Sequence, residues 1–195
     1  FDIRACGWDA KLMRFLRVKP SNLPEIVSDD SQTFQPISKY VKRWPRLENA
    51  KWFPAIGDGA ANNIGTGCVI KSKAALMIGT SGALRVAYAG EPPEKIPLGL
   101  WCDRIDRKRV VVGGALSDGG GLYSWLRENL RLPNNIEAEI AKRRPACHGL
   151  TFLPFLAGER STGYNENAAG AIHGLKSSTD AIDILQAAIE SVAYR

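Results

Sequence analysis

The 195-residue chain has two histidines, two methionines and four cysteines. Cys6, Cys68, Cys102 and Cys147 stand far apart and form no C-x-x-C pair. Together with so few histidines, this argues against a zinc site. No Asn-x-Ser/Thr sequon occurs. Free thiols in a reducing, cytoplasmic setting are the expectation, each cysteine acting as a small buried hydrophobe. No apolar run approaches the ~18 residues that a membrane span needs. The opening FDIRACGWDA has the pattern of neither a signal nor a transit peptide. Also missing are a G-x-x-x-x-G-K-S/T phosphate loop, a G-x-G-x-x-G following a strand, and a G-x-S-x-G elbow.

What is present is an ordinary globular composition: 45% hydrophobic and 24% charged, with 26 basic against 20 acidic residues. The basic excess is spread along the chain. Lys42-Arg43 and Arg143-Arg144 are expected on solvated helix faces. With no aromatic residues expected to interleave with the basic ones, the composition speaks against a nucleic-acid partner.

The pattern predicts α/β structure. Residues 9–17 read as a helix capped by Asp9, with Leu12, Phe15 and Leu16 on one face. Residues 20–36 read as a loop, and 50–56 as a strand entering a turn at Gly57-Asp58-Gly59, followed by a helix of small residues. Two strand-turn-strand units follow: 74–90 around Gly79-Thr80-Ser81-Gly82, then LWCDRID and RVVVGGAL around a charged tip. A helix opens after Gly119-Gly120-Gly121, with Leu122, Trp125 and Leu126 facing a core. NNIEAEIAKRR predicts a surface helix with Asn caps, LTFLPFLAG a buried strand, and AAGAIHGL a strand or turn. The last helix is expected to start at Ser178 or Thr179 and to bury Ile182, Leu185, Ile189 and Val192. The chain ends without a glycine cap, and both ends read as internal to a longer polypeptide.

One acid and two glycine turns remain as chemistry. Phosphoryl transfer can be run with a positioned base and backbone N–H groups, because charge gathers on phosphate oxygens. Asp58 can accept a proton from an attacking hydroxyl. The Gly79–Gly82 turn can offer N–H groups and the Thr80 hydroxyl to phosphate. Glycines 119–121 open a helix whose positive end suits an anion. Ordinary tight turns explain the same residues.

The order FPAIGDGAANNIGTG, MIGTSGALRV, GGALSDGGGLYSWLRENL, FLPFLAGERSTGYNENAAGAIHGL resembles the FGGY family of carbohydrate kinases over nearly the whole chain. The resemblance implies an actin/hexokinase-like fold with parts of two RNase H-like α/β domains. Residues 1–73 would finish the sugar-binding domain and residues 74–195 would begin the nucleotide-binding domain. It implies Asp58 as the base and substrate contact. It implies Gly79, Thr80, Ser81 and Gly82 as a phosphate motif, and Gly120 with Ser124 as nucleotide contacts. ATP and Mg2+ are the implied cofactors, and no residue of this stretch is assigned to metal. A sugar or sugar acid and ATP are the implied partners; the reading includes no nucleic acid and no membrane, and it allows a homodimer. GTSGALRV looks most like the gluconokinase branch, where Arg85 would suit a sugar-acid carboxylate; a strand arginine in an ion pair is the alternative. Glu159-Arg160 is expected as a structural ion pair. Xylulose or another polyol is the alternative substrate, and a non-catalytic sugar- or nucleotide-binding protein the alternative class. The family's N-terminal D-x-G-T-type loop and its adenine-binding segment are not in this stretch, so these residues alone are expected to be inactive.

Overall fold

The computed structural model describes residues 1–27 and 32–195. The expected loop at 20–36 therefore lies partly outside the described residues. The chain forms two compact units. One comprises Phe1–Ala74, Val86–Lys95 and Cys102–Val112; the other comprises Ala75–Arg85, Ile96–Trp101 and Gly113–Arg195.

In the first unit, α1 (Ala10–Phe15) starts as expected: the Asp9 carboxylate accepts from the N–H groups of Lys11 and Leu12 at 2.8 and 2.9 Å. Its apolar face is exposed, Phe15 by 82%. Helix α2 (Ser38–Arg43) carries Lys42 and Arg43 in its last turn, in keeping with the helix face expected for that basic pair. Tyr40 and Trp44 stack there at 6.1 Å, and the Arg43 guanidinium lies 4.8 Å over Trp44. Basic and aromatic side chains therefore do interleave, contrary to the sequence reading.

The strand expected at 50–56 is a single bridge. Phe34 and Trp52 exchange both backbone hydrogen bonds, and Pro54, two residues on, has no N–H with which to extend a ladder. Helix α3 (Asp58–Gly65) follows, so Asp58 begins a helix instead of sitting in a turn. The end of α3 is held by a two-point clasp: the Asn63 side-chain amide donates to the Cys68 carbonyl at 3.1 Å, and the Cys68 N–H donates to the Asn63 carbonyl at 2.9 Å. Asn63 is fully buried.

Strands β1 (Ala74–Ile78), β2 (Gly82–Ala89), β3 (Trp101–Arg104) and β4 (Arg109–Leu116) form one sheet in the order β1-β2-β4-β3. Both predicted hairpins are present. The charged tip is held by Asp106, whose carboxylate accepts from the N–H groups of Lys108 and Arg109.

The core of the second unit gathers Leu122, Leu126, Ile136, Leu150, Phe152, Leu185, Ala187 and Ala188. These come from α4 (Gly120–Asn129), α5 (Ile136–Lys142), β5 (Thr151–Leu153) and α6 (Ala181–Ala193), with β5 pairing antiparallel to β6 (Ala171–His173). Several expectations are corrected here. Trp125 is 45% exposed, because it lies about 80° around α4 from the centre of the Leu122–Leu126 stripe. Strand β5 is only three residues long and buries Phe152 alone; Pro154 ends it. Asn135 precedes α5 but makes no side-chain cap bond, its amide donating to Glu139 instead. The cap of α6 is Asp180, in a reciprocal box with Asp183, while Thr179 accepts from the Lys176 N–H. The buried face of α6 holds Leu185, Gln186, Ala187, Ala188 and Ser191, and Ile189 is exposed.

Arg143 is not merely solvated. It bridges to Asp183 at 2.6 Å and Asp180 at 3.3 Å. Burial pushes the Asp183 carboxyl up, but the Asp180 N–H and Arg143 outweigh it and hold the group below its ordinary value. A second polar cluster fixes the other half of α6. Glu190 accepts from the Ala146 N–H, from Gln186 at 2.7 Å and from His148 Nε2 at 3.2 Å, while His148 Nδ1 accepts the Leu150 N–H at 3.0 Å. Here too burial is opposed and outweighed, and the Glu190 carboxyl lies below its ordinary value. The cysteines divide: Cys102 is buried, Cys6 and Cys68 are half-buried, and Cys147 is exposed, contrary to expectation.

Candidate active site

Asp58 is the first residue of α3, in the first unit. It is exposed, and one carboxylate oxygen accepts the Gly59 N–H at 2.6 Å. A carboxylate at this end of a helix meets the positive end of the dipole. Space around it is open: a methyl carbon placed on Gly57 would meet no atom within 4 Å.

The remaining candidates belong to the second unit. Gly79, Thr80 and Ser81 form the turn between β1 and β2, and Gly82 opens β2. Thr80 is exposed and Gly82 is buried. The turn meets the first residues of α4. The Gly120 N–H donates to the Gly79 carbonyl at 2.7 Å, and the N–H groups of Gly119 and Gly121 both donate to the Thr80 carbonyl, at 3.1 and 3.0 Å. The structure thus brings together two glycine runs that are distant in sequence. Ser124, exposed one turn into α4, donates its hydroxyl to the Gly120 carbonyl at 3.2 Å.

Arg85 lies on β2, its guanidinium 5.8 Å from the centroid of Trp101, with Nε and Nη1 buried. The fit is tight on the other side as well. A methyl carbon on Gly113 would lie 2.5 Å from the Leu84 carbonyl oxygen and 2.9 Å from Arg85 Cγ.

A shallow cleft in the same unit, bordered by Asp118, Phe155, Glu159 and Arg195, was not signalled by the sequence. Glu159 pairs with Arg195, not with its neighbour Arg160 as expected, and Arg195 also donates to the Ser161 carbonyl at 2.8 Å. Ser161 in turn accepts the Ala115 N–H on its hydroxyl at 3.0 Å and donates its own N–H to the Ala115 carbonyl at 2.9 Å. Burial pushes the Asp118 carboxyl up, partly offset by the Leu156 N–H.

Residues 60–195 match the C-terminal domain of the FGGY family of carbohydrate kinases. The chain belongs to that family. Among curated proteins it is similar to a gluconokinase of Bacillus subtilis (strain 168), 30% identical over 209 aligned positions, covering 99% of this chain and 40% of the relative. Among solved structures it is similar to a ligand-bound xylulose kinase of Lactobacillus acidophilus, TM-score 0.88 at 26% identity, and to a gluconate kinase of the same organism, TM-score 0.87 at 26% identity. Each of these covers 99% of this chain and 40% of the solved chain. The chain therefore spans about 40% of the length of the relatives it matches. The α/β, actin/hexokinase-like fold expected from the motifs is the fold of this FGGY chain.

Proposed function

We propose that the whole protein is an ATP-dependent carbohydrate kinase in which Asp58 is the general base. Family membership over residues 60–195 carries this reading. The exposed carboxylate of Asp58, with open space beside Gly57, supports it. A sugar hydroxyl within hydrogen-bond reach of that carboxylate would pass its proton there as the oxygen attacks phosphorus.

ATP, when bound, supplies the phosphoryl group. The Gly79–Thr80–Ser81 turn, exposed at Gly79 and Thr80, fits its phosphates, with the Thr80 hydroxyl as a further donor, and Gly120 with Ser124 belongs to the nucleotide side. Mg2+ enters this reading through the family's chemistry, and no residue of this stretch is assigned to it. In this reading residues 1–73 and 74–195 are parts of the sugar-binding and nucleotide-binding domains. No described helix is long and apolar enough to cross a membrane.

Gluconate is the preferred substrate, from the gluconokinase relative and from Arg85 as a carboxylate partner. Xylulose is the second reading, favoured by the xylulose kinase structure at TM-score 0.88. The test is ADP release by the full-length protein with gluconate, xylulose and glycerol, beside Asp58→Asn. Turnover with gluconate that disappears in the variant supports both assignments. Turnover with xylulose alone moves the substrate, and an Asp58→Asn enzyme that keeps its rate removes Asp58 as base.

A further inference from the structure

The glycines at the start of α4 do something that their hydrogen bonds make specific. The first N–H groups of a helix have no partner inside it. In α4 those of Gly119, Gly120 and Gly121 go to the carbonyls of Thr80, Gly79 and Thr80. The approach is too close for any side chain. A methyl carbon on Gly119 would lie 2.8 Å from the Ser81 carbonyl oxygen, and one on Gly120 2.8 Å from that of Gly79. On Gly121 it would lie 2.9 Å from the Thr80 oxygen and 3.0 Å from Thr80 Cγ2.

In a trans peptide the N–H points opposite to the carbonyl of the same plane. With the Gly79 and Thr80 carbonyls turned into α4, the N–H groups of Thr80 and Ser81 point away from it. Two successive N–H groups with a common outlook make an anion-binding concavity.

We propose that Gly119 and Gly121 are positioning residues: their bare backbone seizes the Thr80 carbonyl and thereby aims the Ser81 N–H at the phosphates of ATP, while Gly120, through the Gly79 carbonyl, aims the Thr80 N–H to the same side. The proposal rests on the reading of Gly79–Gly82 as the phosphate turn. The start of α4 then serves the nucleotide indirectly, through the turn it holds.

The test is a double-mutant cycle in the full-length kinase with Gly121→Ala and Thr80→Ala, read as KM for ATP, KM for the sugar and kcat. Gly121→Ala is expected to lower kcat/KM for ATP about tenfold to a hundredfold, as a small misplacement of a binding group does, and to leave the KM for the sugar unchanged. In the Thr80→Ala background its further effect is expected to shrink, because both act on one turn. Losses that simply multiply, or a Gly121→Ala enzyme with wild-type kinetics for ATP, would overturn the proposal.

Amide hydrogen exchange on the unmodified protein gives a second measurement, independent of how the variants fold. Gly119–Gly121 should be protected without nucleotide, and Thr80–Ser81 should become protected when ADP is added. Free exchange at Gly119–Gly121 overturns the proposal. Protection there, with no response of Thr80–Ser81 to ADP and no effect of Thr80→Ala on ATP, instead removes the phosphate-turn reading and the proposal with it.

Discussion

The Arg85 guanidinium lies over the indole of Trp101, 5.8 Å from its centroid, with two of its nitrogens buried. An arginine so placed is oriented before any ligand arrives. Trp101→Ala is expected to lose about 1–2 kcal/mol of stability from the cation–π contact and the ring's packing. If Arg85 meets a substrate carboxylate, the same variant raises the KM for gluconate more than that for xylulose. Thermal melts and the two KM values check this; equal changes in both would assign Arg85 to structure alone.

Gly113→Ala tests the other side of that arginine. The added carbon would meet the Leu84 carbonyl at 2.5 Å, a backbone atom that cannot swing aside. Overpacking of this kind costs about 1–3 kcal/mol, and the upper end is expected here. Chemical denaturation checks it.

Leu185 is fully buried at the centre of the second unit's core. Leu185→Ala should cost about 2–5 kcal/mol, through lost transfer energy and a residual cavity. Ile189→Ala, on the exposed side of the same helix, should change stability by about 0.5 kcal/mol or less. Equal losses for the two would contradict the burial pattern of α6.

Acid should loosen both halves of α6. The carboxyls of Asp183 and Glu190 are held below their ordinary values of 3.8 and 4.5 by Arg143, Gln186, His148 and backbone N–H groups. A depressed carboxyl stabilises the fold above its unfolded pKa. That contribution is lost as pH falls from the ordinary value through the folded one. Melting temperature should therefore drop below about pH 4.5, and Arg143→Ala should flatten part of that drop.

Asp118 carries the opposite sign. Its carboxyl is raised by burial, so its ionisation works against the folded state as pH rises. Asp118→Asn keeps an acceptor for the Leu156 N–H and removes the charge. It is expected to raise the melting temperature at pH 7 and to lose that advantage at about pH 3.5, below the ordinary carboxyl value.

The hairpins were legible because alternating apolar runs flank turn-forming residues, Gly79–Gly82 in one case and a charged tip in the other. The false strand at 50–56 had apolar content but also Pro54, and the bridge it does form depends on Phe34, which no local pattern announces. Trp125 was misplaced because helical spacing gives a stripe but not its edges. Asp58 stands out in the sequence as a lone acid among small residues, and the structure puts it exposed at the start of α3. The meeting of Gly119–Gly121 with the Thr80 turn was not legible: the two runs read as separate turns, whereas each is held by the other. The pairing of Glu159 with Arg195 joins residues 36 positions apart, beyond any local motif.

The imidazole of His148 has a further consequence. Its Nδ1 is taken by the Leu150 N–H, so the ring's own hydrogen sits on Nε2 and faces Glu190, with the side chain only 7% exposed. Such a hydrogen is shielded from solvent and should be seen as a slowly exchanging resonance far downfield of the amides. The chain thus carries a built-in spectroscopic reporter at this end of α6, one that would fade when the 146–150 turn lifts away from Glu190.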